Sequence, residues 1–247
     1  MTAASGIAAP YAGAMHIQFY TMQSVEEALD CVAAGADHVG MAPVQGLPGE
    51  IPYATMRAIV EAVGDLAQCV ALTVRMDPAE ILEMVEAVHP AILHLCPLAG
   101  DVNPAMVAAL RPLLPAGLPI MQAISVTGPE SVAEAVAYAG VVDYLILDTQ
   151  HPDIPGVGAS GAVHDWSVSR AIVDAVGIPV ILAGGLSPEN VAEAIRVVRP
   201  WGVDSLTHTN RRLADGTFAK DPERVRAFVA NARAAAAAPE FTPEAGA

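Results

Sequence analysis

Residues 142–185 read VDYLILDTQHPDIPGVGASGAVHDWSVSRAIVDAVGIPVILAGG. The apolar run Tyr144-Leu145-Ile146-Leu147 ends at Asp148 and opens a long glycine-containing connection. An amphipathic segment from Trp166 follows, and then a second apolar run, Val180-Ile181-Leu182-Ala183, ends at Gly184-Gly185. Short continuous apolar runs joined by a helix are the pattern of parallel strands buried on both faces.

The same unit repeats on either side. Strands are expected near 15–21, 36–42, 68–75, 90–96, 118–125, 142–148, 178–183 and 201–207. Helices are expected near 23–34, 53–64, 78–88, 104–113, 129–139, 166–176, 188–198 and 222–236. Helix starts carry the best local signals. Ser24 with Glu27 makes a capping box. Asp77-Pro78, Asn103-Pro104, Ser187-Pro188 and Asp221-Pro222 pair a capping side chain with a first-turn proline. Eight alternating units favour an α/β fold of the (β/α)8 TIM barrel type, a single domain over 15–236. An open doubly wound sheet is the alternative. It is weakened because no Gly-x-Gly-x-x-Gly follows the first strand. Residues 1–14 and 237–247 read as flexible tails.

The chain has 247 residues, 53% of them hydrophobic but only 4% aromatic. The core must therefore be built from branched aliphatics, which fill barrel interiors. A net charge of -15 argues against nucleic acid and anionic membranes as partners. No apolar run reaches membrane-spanning length, and the first residues lack the marks of a secretory signal. The three cysteines, Cys31, Cys69 and Cys96, form no disulfide or zinc framework. Reduced thiols and a cytoplasmic location are expected. The one lysine, Lys220, sits near the start of the last helix, away from any strand end. That argues against Schiff-base and pyridoxal chemistry.

Barrel sites lie where strands end. Strand ends offer His16, Gln18 and Tyr20, then Thr73 and Arg75, His94 and Cys96, and Gln122 and Ser125. Asp148 and His151 follow strand 6, and Gly184 and Gly185 follow strand 7. Thr207, His208, Asn210 and Arg211 follow strand 8. Asp148 stands out, since a carboxyl there serves as acid or base if its proton affinity is raised. Gly184 and Gly185, ahead of a helix start, suit an anion. Thr207, His208 and Arg211 are further anion contacts. His94, Asp148, His151 and His208 are the candidate ligands of a divalent metal, the one cofactor left open, although no spacing matches a known ligand signature.

Several stretches resemble phosphoribosylanthranilate isomerase. They are Leu145-Ile146-Leu147-Asp148-Thr149, Gly158-Ala159-Ser160-Gly161, Asp165-Trp166, Val180 to Val191, Val198 to Asp204 and Lys220-Asp221-Pro222-Glu223. Glu26-Glu27-Ala28 through Asp37 fits the family's first helix and second strand. The likeness spans roughly 16–234. It implies a barrel that carries out an Amadori rearrangement of a phosphorylated aminosugar, with Asp148 as general acid. The family's base is a cysteine in Lys-Ile-Cys-Gly. The matching stretch His16-Ile17-Gln18-Phe19 places Gln18 there, and an amide takes up no proton at neutral pH. The family's Ser-Pro-Arg has no counterpart in Ala42 to Tyr53. Its Gln-Leu-His-Gly becomes His94-Leu95-Cys96-Pro97, its serine-rich loop becomes Ser205 to Asn210, and a loop lysine becomes Ala162.

These departures point to an isomerase-like enzyme repurposed for a small anionic, sugar-like substrate, with Cys96, His94 or Glu50 as the new base. A metal-assisted hydrolase or lyase using His94, Asp148, His151 and His208 is the second reading, and a non-catalytic binding or regulatory barrel the third. Self-association into a homo-oligomer stays open.

Overall fold

The computed structural model describes residues 15–43, 49–97, 102–149 and 163–238. Eight parallel strands close into a barrel: β1 (His16–Phe19), β2 (His38–Met41), β3 (Gln68–Thr73), β4 (Ile92–Leu95), β5 (Ile120–Ser125), β6 (Tyr144–Asp148), β7 (Val180–Leu182) and β8 (Gly202–Ser205). Pairing of β1 with β8, Gln18 opposite Asp204, completes the ring. The helices are α1 (Val25–Ala33), α2 (Tyr53–Val63), α3 (Pro78–Val88), α4 (Pro104–Leu110), α5 (Glu130–Ala139), α6 (Trp166–Ala175), α7 (Val191–Val198) and α8 (Pro222–Ala236). The open-sheet alternative is thereby set aside. The expected tails fall outside the described residues, apart from Ala237 and Ala238. Among the described residues no helix is long and apolar enough to cross a membrane.

The capping chemistry works as the residue types dictate. Ser24 accepts from the Glu27 N–H at 3.1 Å, while Glu27 reaches back to the Gln23 N–H at 2.7 Å. Asp77, Asn103 and Asp221 each accept from a first-turn N–H. Only α7 departs. Ser187 and Asn190 tie residues 187–190 into a turn, Asn190 Oδ1 taking the Ser187 N–H at 2.8 Å, so the helix starts three residues late.

Two layers of side chains fill the molecule. The outer layer packs strands on helices, as where Phe19 of β1 meets Phe228 of α8 edge-on at 5.5 Å. Both rings are fully buried, each worth roughly 1.5–3 kcal/mol. The inner layer has an apolar ring of Val70, Ile92, Met121, Ile146 and Ile181. It is unusually polar above and below that ring. His16 stacks on Trp201 at 3.8 Å near the foot, and His38, Gln18 and Asp204 are buried in the centre.

At the foot, the N-terminal ends of the strands, two aspartates do matching work. Asp37, just before β2, accepts from the Ile17 N–H at 2.9 Å and pairs with Arg233 of α8 at 2.8 Å. Asp143, just before β6, accepts from the Ile120 N–H at 2.8 Å and pairs with Arg111 at 2.7 Å. Each ties a neighbouring strand to a helical segment.

After β8 the chain forms a feature not expected from the sequence. A 3-10 turn (Thr207–Thr209) leads into an antiparallel hairpin, β9 (Asn210–Arg212) and β10 (Phe218–Lys220).

Candidate active site

Alternation along each strand decides what faces the barrel axis. On β6, Tyr144, Ile146 and Asp148 share the inner face, because Ile146 belongs to the inner cluster and Leu145 and Leu147 to the outer one. The strand therefore ends with Asp148 at the mouth, where its Oδ1 accepts from the Thr149 N–H at 2.7 Å. On β8 the inward set includes Asp204, opposite Gln18 of β1. Asp148 and Asp204 line one narrow cleft together with Gly184, Gly185, Thr207 and His208.

Burial pushes the Asp148 carboxyl up to about 7, against the donation from Thr149. Asp204 is pushed to about 8, by burial first and by the Asp148 charge second. The Gln18 amide and the Lys220 ammonium pull it the other way. Two carboxyls that repel each other in a dry site hold one proton between them near neutral pH.

Tyr20, directly after β1, is the strand-1 side chain that reaches the mouth. Its ring lies where a Cβ on Gly40 would stand, 2.1 Å from Tyr20 Cε1, so β2 must carry a glycine there. The hydroxyl spans to β4 and meets His94 Nδ1 at 2.8 Å. Burial holds the Tyr20 phenol well above its ordinary range, with Asp204 and Cys96 adding to the effect.

The expected strand-1 residue is corrected. Gln18 is buried one layer below the mouth, its Oε1 3.1 Å from His38 Nδ1, and its amide faces Asp204 rather than the cleft. His94 lies in the inner layer, but burial drives its pKa down to about 3 and Tyr20 occupies Nδ1. A neutral ring of that kind is poorly matched to take a proton at neutral pH. Cys96 is a buried thiol of the inner cluster. Glu50 follows the β2 loop with Oε1 buried. Thr73 and Gln122 point away from the axis, being in register with Leu95 of the outer layer. Arg75 pairs with Glu80 on the exposed side. Ser125 is opposite Asp148 at the mouth.

Gly184 and Gly185 adopt φ values of 79° and 67°, which side chains rarely tolerate. A Cβ on Gly184 would stand 2.5 Å from Thr149 Oγ1 and 3.2 Å from Asp148 Oδ1. Thr207 and His208 border the same cleft. Arg211 does not; it is exposed on β9 and lines a separate groove against α1. His151 lies outside the described residues, as does the Gly158–Gly161 stretch. Among the described residues no three of His, Cys, Asp and Glu gather as a metal would need, so His94, Asp148 and His208 are not brought together as a ligand set.

Three contributors were not singled out from the sequence. Asp204 had a signal, a lone carboxyl inside a short buried strand. His164 bonds Thr149 Oγ1 at 3.0 Å and Ser169 Oγ at 2.7 Å, bracing the residue after Asp148. Lys220, expected far from the site, is buried behind Tyr20 and donates to its carbonyl and to Asn210.

Comparison with known proteins agrees with the barrel fold. The family model described as N-(5'phosphoribosyl)anthranilate (PRA) isomerase matches residues 17–231. An N-(5'-phosphoribosyl)anthranilate isomerase of Azorhizobium caulinodans is 38% identical over 219 residues, covering 88% of this chain and 90% of that protein. One of Rhodopseudomonas palustris (strain BisB18) is 36% identical, covering 82% and 88%. Among solved structures, the phosphoribosyl anthranilate isomerase of Thermotoga maritima superposes with a TM-score of 0.75 at 25% identity, covering 89% of this chain and 99% of that one. That of Thermus thermophilus gives 0.73 at 26%, covering 88% and 98%. The chain belongs to the N-(5'-phosphoribosyl)anthranilate isomerase family and is a barrel enzyme of the isomerase class.

Proposed function

We propose that the enzyme carries out an Amadori-type isomerisation of a small anionic, sugar-like substrate, with Asp148 as acid and Asp204 as base. The observation that carries this reading is the pair of carboxyls at one cleft, half-buried Asp148 and buried Asp204, both pushed up by burial so that one proton is held between them near neutral pH. Acid and base are then present together at neutral pH without a cysteine.

The chemistry balances on the pair alone. Asp148 gives its proton to the ring oxygen of an aldosylamine. The C1–O bond breaks as the nitrogen lone pair forms an iminium. Asp204 removes the C2 proton, and those electrons make the C1–C2 double bond of an enolamine. Asp204 then returns a proton to C1 while Asp148 takes the O2 proton, giving the aminoketose and restoring both groups. Gly184, Gly185, Thr207 and His208 border the cleft where the anionic group would be held. A cytoplasmic setting fits such a substrate.

The relatives are named for N-(5'-phosphoribosyl)anthranilate, but residues 42–53 contain no arginine and strand 1 lacks a cysteine. The reading therefore places the substrate elsewhere among phosphorylated aminosugars. Purified enzyme is assayed with N-(5'-phosphoribosyl)anthranilate beside other N-glycosides of sugar phosphates. Turnover of one of the latter, lost in Asp204→Asn, is expected. Efficient turnover of N-(5'-phosphoribosyl)anthranilate overturns the choice of substrate, and full activity of Asp204→Asn overturns the base.

A further inference from the structure

The only lysine of the chain lies 6% exposed in its interior. Burying an ammonium is costly unless its protons are taken up. The Lys220 Nζ donates to the Tyr20 carbonyl and to Asn210 Oδ1, the latter at 2.7 Å. The residue it grips also closes the barrel on its other side: the Tyr20 N–H donates to the Ser205 carbonyl at 3.3 Å. The ammonium thus reaches the seam between β1 and β8, one residue from Asp204 and on the backbone of the residue whose ring crosses the mouth.

The hairpin delivers it there. The Lys220 N–H donates to Glu27 Oε1 at 2.6 Å, using the oxygen that the α1 capping box leaves over. The Phe218 carbonyl accepts from Gln23 Nε2 at 2.8 Å. The Phe218 ring packs on Gly49, where a Cβ would stand 2.6 Å from its Cζ. So β10 braces the loops after β1 and β2 and drives one side chain inward between them.

We propose that Lys220 is a positioning residue for the mouth: it fixes the β1–β8 seam that carries Tyr20 and supplies the positive charge against which Asp204 ionises. The charged and titratable groups facing it are Glu27 and Cys31 from α1 and Asp204 from β8. Cys31 is pushed up to about 12, so it stays a neutral thiol and leaves the two carboxyls as its partners. Burial lowers the Lys220 ammonium to about 8, so it is mostly charged at about pH 7. The catalytic part of this inference rests on Asp204 as base; the charge coupling does not.

Because there is one lysine, protein labelled with nitrogen-15 at lysine Nζ gives one side-chain resonance to follow. An ammonium resonance protected from exchange is expected, whose shift titrates with a neighbouring group and loses that inflection in Asp204→Asn. A fast-exchanging resonance that is unchanged in Asp204→Asn would overturn the proposal, whatever the substrate proves to be. For turnover, Lys220→Met should move the pH–rate profile upward by about one unit and cut kcat at about pH 7 roughly tenfold, with KM little altered. Lys220→Arg, which keeps the charge, should hold the profile in place. A Lys220→Met profile that superimposes on the wild type after scaling would mark a merely structural role. Retained turnover in Asp204→Asn, with the inflection lost in that variant, would remove the base assignment and leave the coupling standing.

Discussion

The two ends of the barrel use the same side chain for opposite purposes. At the foot, Asp37 and Asp143 each take a strand N–H and a guanidinium, so their charge is balanced where it stands. At the mouth, half-buried Asp148 and buried Asp204 share one cleft, and Lys220 bears on Asp204 from behind. The foot holds carboxylates that stabilise; the mouth holds carboxyls kept from ionising freely. Barrel enzymes divide stability and chemistry between these ends. Here the division is made by what each aspartate is allowed to meet.

Substitutions at the mouth break the comparison hardest. Asp148→Asn should lower kcat by about 10³-fold, the range of a lost general acid, read in steady-state kinetics. Asp204→Asn should lower kcat by about 10²-fold and also change stability in a defined direction. A carboxyl whose folded pKa is raised contributes most below the unfolded value near 4 and loses that contribution as pH rises through the folded value. Wild-type stability should therefore decline between about pH 4 and about pH 8. Asp204→Asn should flatten that slope and be more stable than wild type at about pH 8 by roughly 2 kcal/mol, in urea unfolding.

The foot should answer in reverse. Asp37→Asn should cost about 1–2 kcal/mol in the same unfolding assay and leave kcat within about twofold, because it removes a charge-assisted bond far from the cleft. The smallest effect is expected for Tyr20→Phe. Loss of the bond to His94 should lower kcat about fivefold with the fold intact, matching one hydrogen bond of roughly 1 kcal/mol.

How much of this could be read in advance differs between the two ends. The elements were legible because caps and apolar runs are local signals: Asp77-Pro78 marks the start of α3 and Asp221-Pro222 that of α8, where the structure has them. The Asp215-Gly216 step was a hairpin signal that went unused, and Gly216 takes the left-handed φ of 86° such turns favour. Asp148 could be placed since it ends its strand. Choosing between Gln18 and Tyr20 was beyond the sequence, because both share one face of β1. What separates them is where the strand stops and that Gly40 opposite leaves room for a ring. Lys220 illustrates the same limit. Its neighbours in sequence are surface residues of a hairpin and a helix start, and only the packing of β10 against the loop after β1 carries its ammonium inward.

The most direct test is infrared spectroscopy of the carboxyl stretch in wild type, Asp148→Asn and Asp204→Asn as pH is raised from about 5 to about 9. One protonated carboxyl persisting at about pH 7 in the wild type, and titrating at lower pH in Asp148→Asn because Asp204 has lost its charged neighbour, is the predicted result. Two ionised carboxylates in the wild type at about pH 7 would contradict a proton shared across the mouth.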